Sequence, residues 1–260
     1  MFIRHETFST FIRRYPVISI ILAIHLLLFF WVNLSELTNG LIPFGEVVYY
    51  LMVGNNFAIQ SGEYWRLLTP VFLHTSFGHV LFNSFALLLF GPPLEFMLGR
   101  LKFLTFYLTA GIIGNIATLF FGSLYLSHLG ASGAIYGLFG AYVFIMMNRR
   151  HLIDPSSAQI VVVLLVIGMI FTLLNSGVNI WAHVFGFVAG FGLIPLFLKN
   201  VVPFYFSQGF GSSSDIRRPR RKVRAVTAQK AGRKIALIAA YVIVGAVLLR
   251  VIQLVTAALM

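Results

Sequence analysis

The sequence has no cysteine. Disulfides, thiolate metal sites and a cysteine nucleophile are thereby excluded, while the redox compartment is left open. Charge is nearly as scarce: Asp, Glu, Lys and Arg make up 10% of the chain, and only seven residues are acidic. A soluble domain of 260 residues needs far more polar surface than this. The chain is 59% hydrophobic with a mean hydropathy of +0.91, the composition of an integral membrane protein. A leader-peptide cleavage site is missing too. The first apolar run, Val17 to about Leu34, follows Arg13 and Arg14 and has no small-x-small pair behind it. It exceeds signal-peptide length and reads as a retained first span.

Seven segments of roughly 18–24 residues are long enough to cross ~30 Å of hydrocarbon. They fall at about 16–34, 78–98, 102–122, 132–148, 158–175, 178–198 and 235–257. The expected organisation is a cytoplasmic segment over 1–15, a six-helix core over 16–198, a basic linker over 199–234 and a seventh transmembrane helix over 235–260. The long, semi-apolar connector from Ser35 to Phe77 is expected to lie folded in the membrane interface. With the N-terminus in the cytoplasm, seventeen of the nineteen Lys and Arg residues fall on the inner side. They include Arg100, Lys102, Arg149, Arg150, Lys199 and the nine basic residues between Arg217 and Lys234; only Arg66 and Arg250 do not. The net charge of +12 is therefore a topology signal, and no nucleic-acid partner is needed to explain it. The basic linker is read as a tether that touches anionic lipid, and Arg250 as a residue that snorkels to the outer headgroups.

The stretch Gly130-Ala131-Ser132-Gly133-Ala134-Ile135-Tyr136-Gly137 puts one serine at the start of an apolar helix. Taken alone, Ser132 has a plain reading as a cap whose hydroxyl satisfies a backbone N–H. Gly133, Gly137 and Ala141 then supply the spacing that lets membrane helices approach closely. The rest of the chain changes the balance. On the predicted topology the second, fourth and sixth spans share an outer end, which gathers His79, Asn83, Ser132, Tyr136 and His183. His79 and Asn83 are four residues apart, as are Ser132 and Tyr136, so each pair shares a helix face. Gly186 and Gly190 follow His183 at +3 and +7 and are positioned to pack against Gly133 and Gly137. His25 in the first span and Asn115 in the third have duller readings, as an interhelical hydrogen-bonder and as packing glue.

A serine hydroxyl needs a neighbouring base, for which His183 is the candidate. A tetrahedral oxyanion needs preorganised donors, which the Ser132 N–H and the His79 and Asn83 side chains would supply. An acidic third member is missing, since Asp154 and Asp215 are cytoplasmic on this topology and Glu95 lies at the inner end of its span. The inventory thus points to a Ser–His dyad whose imidazole is oriented by packing, with Tyr136 as the stacking candidate.

These residues resemble the rhomboid family of intramembrane serine proteases. Gly130-Ala131-Ser132-Gly133 fits the family's G-x-S-G, His79-Val80-Leu81-Phe82-Asn83 its H-x-x-x-N, with His74 as the additional upstream histidine. Ala182-His183-Val184-Phe185-Gly186 onward to Gly190 fits A-H-x-x-G-x-x-x-G. Trp65-Arg66 resembles the W-R pair of the first loop, and Gly91 to Gly99, with Glu95 at its centre, resembles G-x-x-x-E-x-x-x-G. The resemblance spans about residues 15–198 and implies an all-α polytopic helix bundle of six core helices plus a seventh. It further implies hydrolysis of peptide bonds in or near the transmembrane segments of single-pass or other membrane-protein substrates. A water-accessible cavity toward the outer face and a gating fifth span or loop also follow from it. No cofactor or metal is expected. The paired prolines Pro92-Pro93 are expected to kink the inner end of the second span, and His128 is expected to do nothing catalytic. The compact chain suggests a bacterial plasma membrane, and the sequence carries no signature of a particular oligomeric state.

Two rival readings are weaker. A catalytically inactive rhomboid-like protein that binds transmembrane clients typically lacks the serine or the histidine, and both are present. A transporter would show inverted repeats or broken helices that carry charged residues at mid-depth; no repeat is visible, and the polar cluster sits toward one face.

Overall fold

The computed structural model describes residues 2, 6–39, 41–199, 201, 203 and 204. The predicted seventh span, Arg250 and most of the basic linker lie outside the described residues. The chain divides into two compact units. One holds residues 2–141 with 179–199, and the other holds residues 142–178 with the described residues beyond 200.

In the larger unit, α1 (Phe8–Arg14) starts where the Thr7 side chain accepts the Thr10 N–H at 3.4 Å, and it stops at Tyr15. α2 (Pro16–Leu37) then begins with proline in its first turn, the position where a missing N–H and a fixed φ do no harm. The open donors of that first turn are met from a distant helix. The Glu95 carboxylate on α5 (Phe77–Leu98) accepts the N–H groups of Val17 at 3.0 Å and Ile18 at 2.9 Å. A carboxylate at a helix N-terminus also complements the helix dipole. α5 continues through Pro92 and Pro93 and ends at Gly99, whose φ is +81°. α6 (Arg100–Phe121), the start of α7 (Ser132–Asn148) and α9 (Ile180–Phe197) complete the unit. The smaller unit holds the rest of α7, a 3-10 turn over Arg150–Leu152 and α8 (Pro155–Leu174), which is capped by the Asp154 side chain on the Ser157 N–H at 2.9 Å.

Among the described residues, five helices are long and apolar enough to cross a membrane: α2, α5, α6, α8 and α9. α7, read from the sequence as a span like the others, is shorter. Its seventeen residues cover about 25 Å at 1.5 Å per residue. The outward surfaces of these helices are apolar, as at Phe82 (73% exposed) and Leu27 (61%). Such faces suit lipid as the solvent.

The connector from Ser35 to Phe77 is where the structure departs most from an all-α expectation. It folds into α3 (Gly45–Met52), a strand β1 (Gly54–Asn55), α4 (Asn56–Gln60) and two 3-10 turns, Tyr64–Leu67 and Thr69–Phe72. β1 pairs antiparallel with β2 (Ser127–His128), with Gly54 opposite His128 and Asn55 opposite Ser127. A Cβ at Gly54 would overlap the His128 ring, so glycine is what lets the two segments close.

The same connector satisfies the carbonyls at the end of α3. Trp65 donates its indole N–H to Leu51 O at 3.0 Å, and the Thr69 hydroxyl donates to Met52 O at 2.8 Å. Arg66 donates from Nη1 to Tyr50 O and to Val53 O, the latter at 2.8 Å. Its Nε and Nη2 meet Glu63 Oε2, each at 2.6 Å. Four consecutive carbonyls that a helix end leaves open are thus filled from one short segment. Replacing Arg66 with Ala removes two hydrogen bonds from a charged donor to buried carbonyls, a loss of about 3 kcal/mol or more. Trp65→Phe removes one neutral bond and costs about 1 kcal/mol. Reversible unfolding in detergent checks both, and equal effects would contradict this account of the α3 terminus.

Candidate active site

The segment that leads into α7 is held from the connector. Gly130 donates its N–H to Pro70 O at 2.8 Å, and Ala131 donates to His74 Nε2 at 3.4 Å. Gly130 has φ +116°, a conformation that disfavours any side chain, and a Cβ there would collide with the His79 imidazole and touch the Asn83 amide. Only glycine meets both demands. The result is that His79 and Asn83, from the first two turns of α5, flank the chain two residues ahead of Ser132.

Ser132 is the first residue of α7. The carbonyl that opens the helix belongs to Ala131, which accepts the Ile135 N–H at 3.0 Å. The cap position is therefore alanine, and the serine hydroxyl is turned to another partner: Ser132 Oγ lies 2.7 Å from His183 Nε2. His183 sits in the first turn of α9, which is opened by the Asn179 side chain accepting the Ala182 N–H at 3.2 Å. Asn179 also donates to Thr118 Oγ1 on α6 at 2.9 Å. The ring of Tyr136 stacks on His183 with centroids 4.2 Å apart and planes within 16°. His183 itself is buried, at 5% exposure.

The glycines expected at the contact between α7 and α9 lie there. A Cβ at Gly186 would strike the Gly133 carbonyl, one at Gly190 the Gly137 carbonyl, and one at Gly140 the Phe187 carbonyl. Backbone meets backbone with nothing between, which is the geometry of small-residue packing in membranes. α6 joins in through Gly114, where a Cβ would stand 2.7 Å from Ala182 O.

Asn83 Nδ2 lies 2.9 Å from His74 Nε2, so His74 ties α5 to the chain before Ser132. Asn115, read as packing glue, donates to Leu67 O at 2.9 Å. His25, read as an interhelical hydrogen-bonder, faces His74. Neither of its ring nitrogens has a hydrogen-bond partner among the described residues, and its ring lies 4.7 Å from that of His74. His128 is not at the serine; it packs under Gly54 in the two-stranded sheet. The Thr118–Asn179 pair and the Pro70 carbonyl were not singled out from the sequence. The only signal for them was local, an Asn three residues before Ala182 that suits an N-cap.

The profile of the Rhomboid domain matches residues 61–200. The chain is 44% identical over 191 residues to YdcA of Bacillus subtilis (strain 168), which carries a provisional rhomboid-protease name; the match covers 74% of this chain and 93% of YdcA. It is 36% identical over 173 residues to the rhomboid protease GluP of the same organism, covering 65% of this chain and 32% of GluP. Rhomboid-like protease 1 of Toxoplasma gondii is 34% identical over 193 residues, 70% of this chain and 65% of that protein. The chain thus spans about a third of GluP and somewhat under two thirds of the Toxoplasma protein. Together with its apolar helices, these relatives make it a multi-pass integral membrane protein.

Two expectations follow from the geometry. Gly186→Ala forces its Cβ into the Gly133 carbonyl, so α9 must shift and carry His183 away from Ser132. Overpacking of this kind costs about 1–3 kcal/mol, and Gly186→Leu should be worse. Stability and reactivity of Ser132, measured together, should both fall. The second concerns pH. Burial holds His128 down to a pKa of about 4, against an ordinary value of about 6.5. The folded state keeps it neutral while the unfolded state takes up a proton. Stability present above pH ~6.5 is therefore lost as pH falls toward 4. His128→Phe should flatten part of that decline in unfolding temperature; an unchanged slope would show that His128 does not cause it.

Proposed function

The chain belongs to the rhomboid family, and on that footing we propose that it is an intramembrane serine endopeptidase working through a Ser132–His183 dyad. The observation that carries this reading is the 2.7 Å approach of Ser132 Oγ to His183 Nε2. For His183 to act as base, Nε2 must be the bare ring nitrogen. Ser132 Oγ then attacks the carbonyl carbon of the substrate peptide while His183 Nε2 takes its proton. The oxyanion is met by the Ser132 N–H and the side chains of His79 and Asn83. His183 returns the proton to the departing amine, and a water activated by the same imidazole hydrolyses the serine ester.

No carboxylate is needed in this scheme, and three of the described acids are engaged elsewhere. Glu95 holds the start of α2, Glu63 pairs with Arg66, and Asp154 caps α8. Orientation of the imidazole falls instead to the stacked Tyr136 ring. The substrates in this reading are membrane proteins whose transmembrane segments contain small residues and unwind readily. Each helix that contributes to the site does so at its N-terminal end, while basic residues follow the C-terminal ends: Arg100 after α5, Arg149 after α7 and Lys199 after α9. By the positive-inside tendency, the site faces outward and the N-terminus lies in the cytoplasm, in the plasma membrane of a bacterium.

The test is labelling of the purified protein by a fluorophosphonate, beside cleavage of a transmembrane reporter. Wild type should react and cleave. Ser132→Ala should not label, and Ser132→Ala and His183→Ala should each lose about 10⁴-fold or more in cleavage while remaining folded. A folded wild type that neither labels nor cleaves would favour an inactive, client-binding relative.

A further inference from the structure

His25 belongs to none of the motifs described above. It lies on α2, fully buried, with its ring 4.7 Å from that of His74 and tilted by 59°. Three nitrogens of this pair have no hydrogen-bond partner among the described residues: both of His25 and Nδ1 of His74. Unpaired buried polar atoms are uncommon, and each calls for a reason.

The state of His74 narrows the possibilities. Its Nε2 receives the Ala131 N–H at 3.4 Å and stands 2.9 Å from Asn83 Nδ2. A backbone N–H can only donate, so Nε2 is the bare nitrogen and the ring proton sits on Nδ1. That Nδ1–H is a buried donor in want of an acceptor. Two acceptors are near. One is the Phe72 carbonyl, which faces His74 without reaching hydrogen-bond geometry. The other is the His25 ring, which has the Val71 carbonyl near it as an acceptor for its own N–H, short of hydrogen-bond geometry. A proton directed toward Val71 leaves the second nitrogen of His25 bare, and that nitrogen complements His74 Nδ1–H.

We infer that His25 is a positioning residue: it accepts the His74 Nδ1 proton, directly or through one shared water, and so fixes the tautomer in which His74 Nε2 holds Asn83 and the Ala131 N–H. The effect reaches the reaction at two points. Asn83 is a proposed oxyanion donor, and Ala131 directly precedes Ser132. Without His25 the proton of His74 is free to move to Nε2. That nitrogen then repels the Ala131 N–H and turns the Asn83 amide so that its oxygen, not its NH₂, faces His74. The catalytic part of this inference rests on the dyad reading; the tautomer part does not.

Nitrogen-15 spectra of selectively labelled histidine, recorded in detergent, report the tautomer with no substrate present. In the wild type, His74 should show a protonated Nδ1 and a bare Nε2; a proton on Nε2 overturns the inference before any variant is made. In His25→Phe, which keeps the ring and removes the acceptor, His74 should become a mixture of tautomers. His25→Gln, which keeps an acceptor, should restore the single form. Reporter cleavage should follow the same order, with kcat down about tenfold in His25→Phe, KM unchanged and most of the rate recovered in His25→Gln. An unaltered His74 spectrum in His25→Phe would assign the proton to the Phe72 carbonyl and sink the inference. So would a tautomer change with no change in kcat, or equal rates in the Phe and Gln variants. If wild type neither labels nor cleaves, the proposed function fails, and the spectra still decide what His25 does for His74.

Discussion

The site depends on how closely α7 and α9 come together. Between water-soluble helices, apolar side chains supply both the spacing and the driving force. In a bilayer the lipid tails are as apolar as leucine, so helices gain mainly by dispersion and by backbone proximity. Here the contact is made by glycines whose missing Cβ atoms leave room for the carbonyls of Gly133, Gly137 and Phe187. A glycine inside a helix costs about 1 kcal/mol in propensity, and this surface uses several. What the short separation provides is position. Ser132 opens one helix and His183 lies in the first turn of the other, and a seam with no side chains between them brings Oγ to 2.7 Å from Nε2. An ordinary pair of helix axes, 8–10 Å apart, would leave two such short side chains further from each other.

Membrane depth bears on what can hold the imidazole. A buried carboxylate beside His183 would orient it, as in the three-part arrangement of many serine hydrolases. A carboxylate within a span is costly, up to about 2.5–3.5 kcal/mol for Asp at the bilayer centre on insertion scales and less toward the span end where His183 lies. A stacked tyrosine carries no such cost and still restricts rotation of the ring, since planes within 16° at 4.2 Å leave little room to swing. The one carboxylate among the described residues of α5 is accommodated differently. Glu95 faces two backbone N–H groups at the start of α2, where the helix terminus itself supplies the compensating partial charge. Acid is kept where a helix end can neutralise it.

Much of this was legible in the sequence, and the division between what was and was not is physical. Periodicity reports faces and lengths of helices, so the core spans were placed within about three residues of their observed bounds. The i, i+4 pairing of Ser132 with Tyr136 and the glycine spacing after His183 were readable because each lies on one helix. The connector over 35–77 was not. Its structure consists of contacts with residues far off in the chain, such as Gly54 with His128 and Gly130 with Pro70, and a two-residue ladder has no sequence period. Glu95 was placed on a motif, but its partners are the backbone N–H groups of Val17 and Ile18, which carry no side-chain signal. His25 was read only as an interhelical hydrogen-bonder; a lone histidine in a span carries no signal that its neighbour is a second histidine just outside another span. The seventh span falls outside the described residues.

The connector also explains how the loop before Ser132 is held still at the end of a membrane helix. The residues just before Ser132 cannot draw on the helix for their hydrogen bonds, because the first turn of any helix leaves its N–H groups open. In this chain the preceding N–H groups are taken up one by one from residues 70–74: Gly130 by the Pro70 carbonyl, Ala131 by His74 Nε2. That segment is in turn anchored by Thr69 to the end of α3, by Asn115 from α6 to the Leu67 carbonyl and by Asn83 to His74. Three different helices thus converge on one short stretch. Since the peptide plane at Ala131–Ser132 sets the direction of the Ser132 N–H, in the proposed reaction rigidity here would matter more for stabilising a developing oxyanion than for holding the hydroxyl. A preorganised donor acts without reorganising during the reaction, and the structure places its supports outside the spans, in the loop that sequence patterns describe least well.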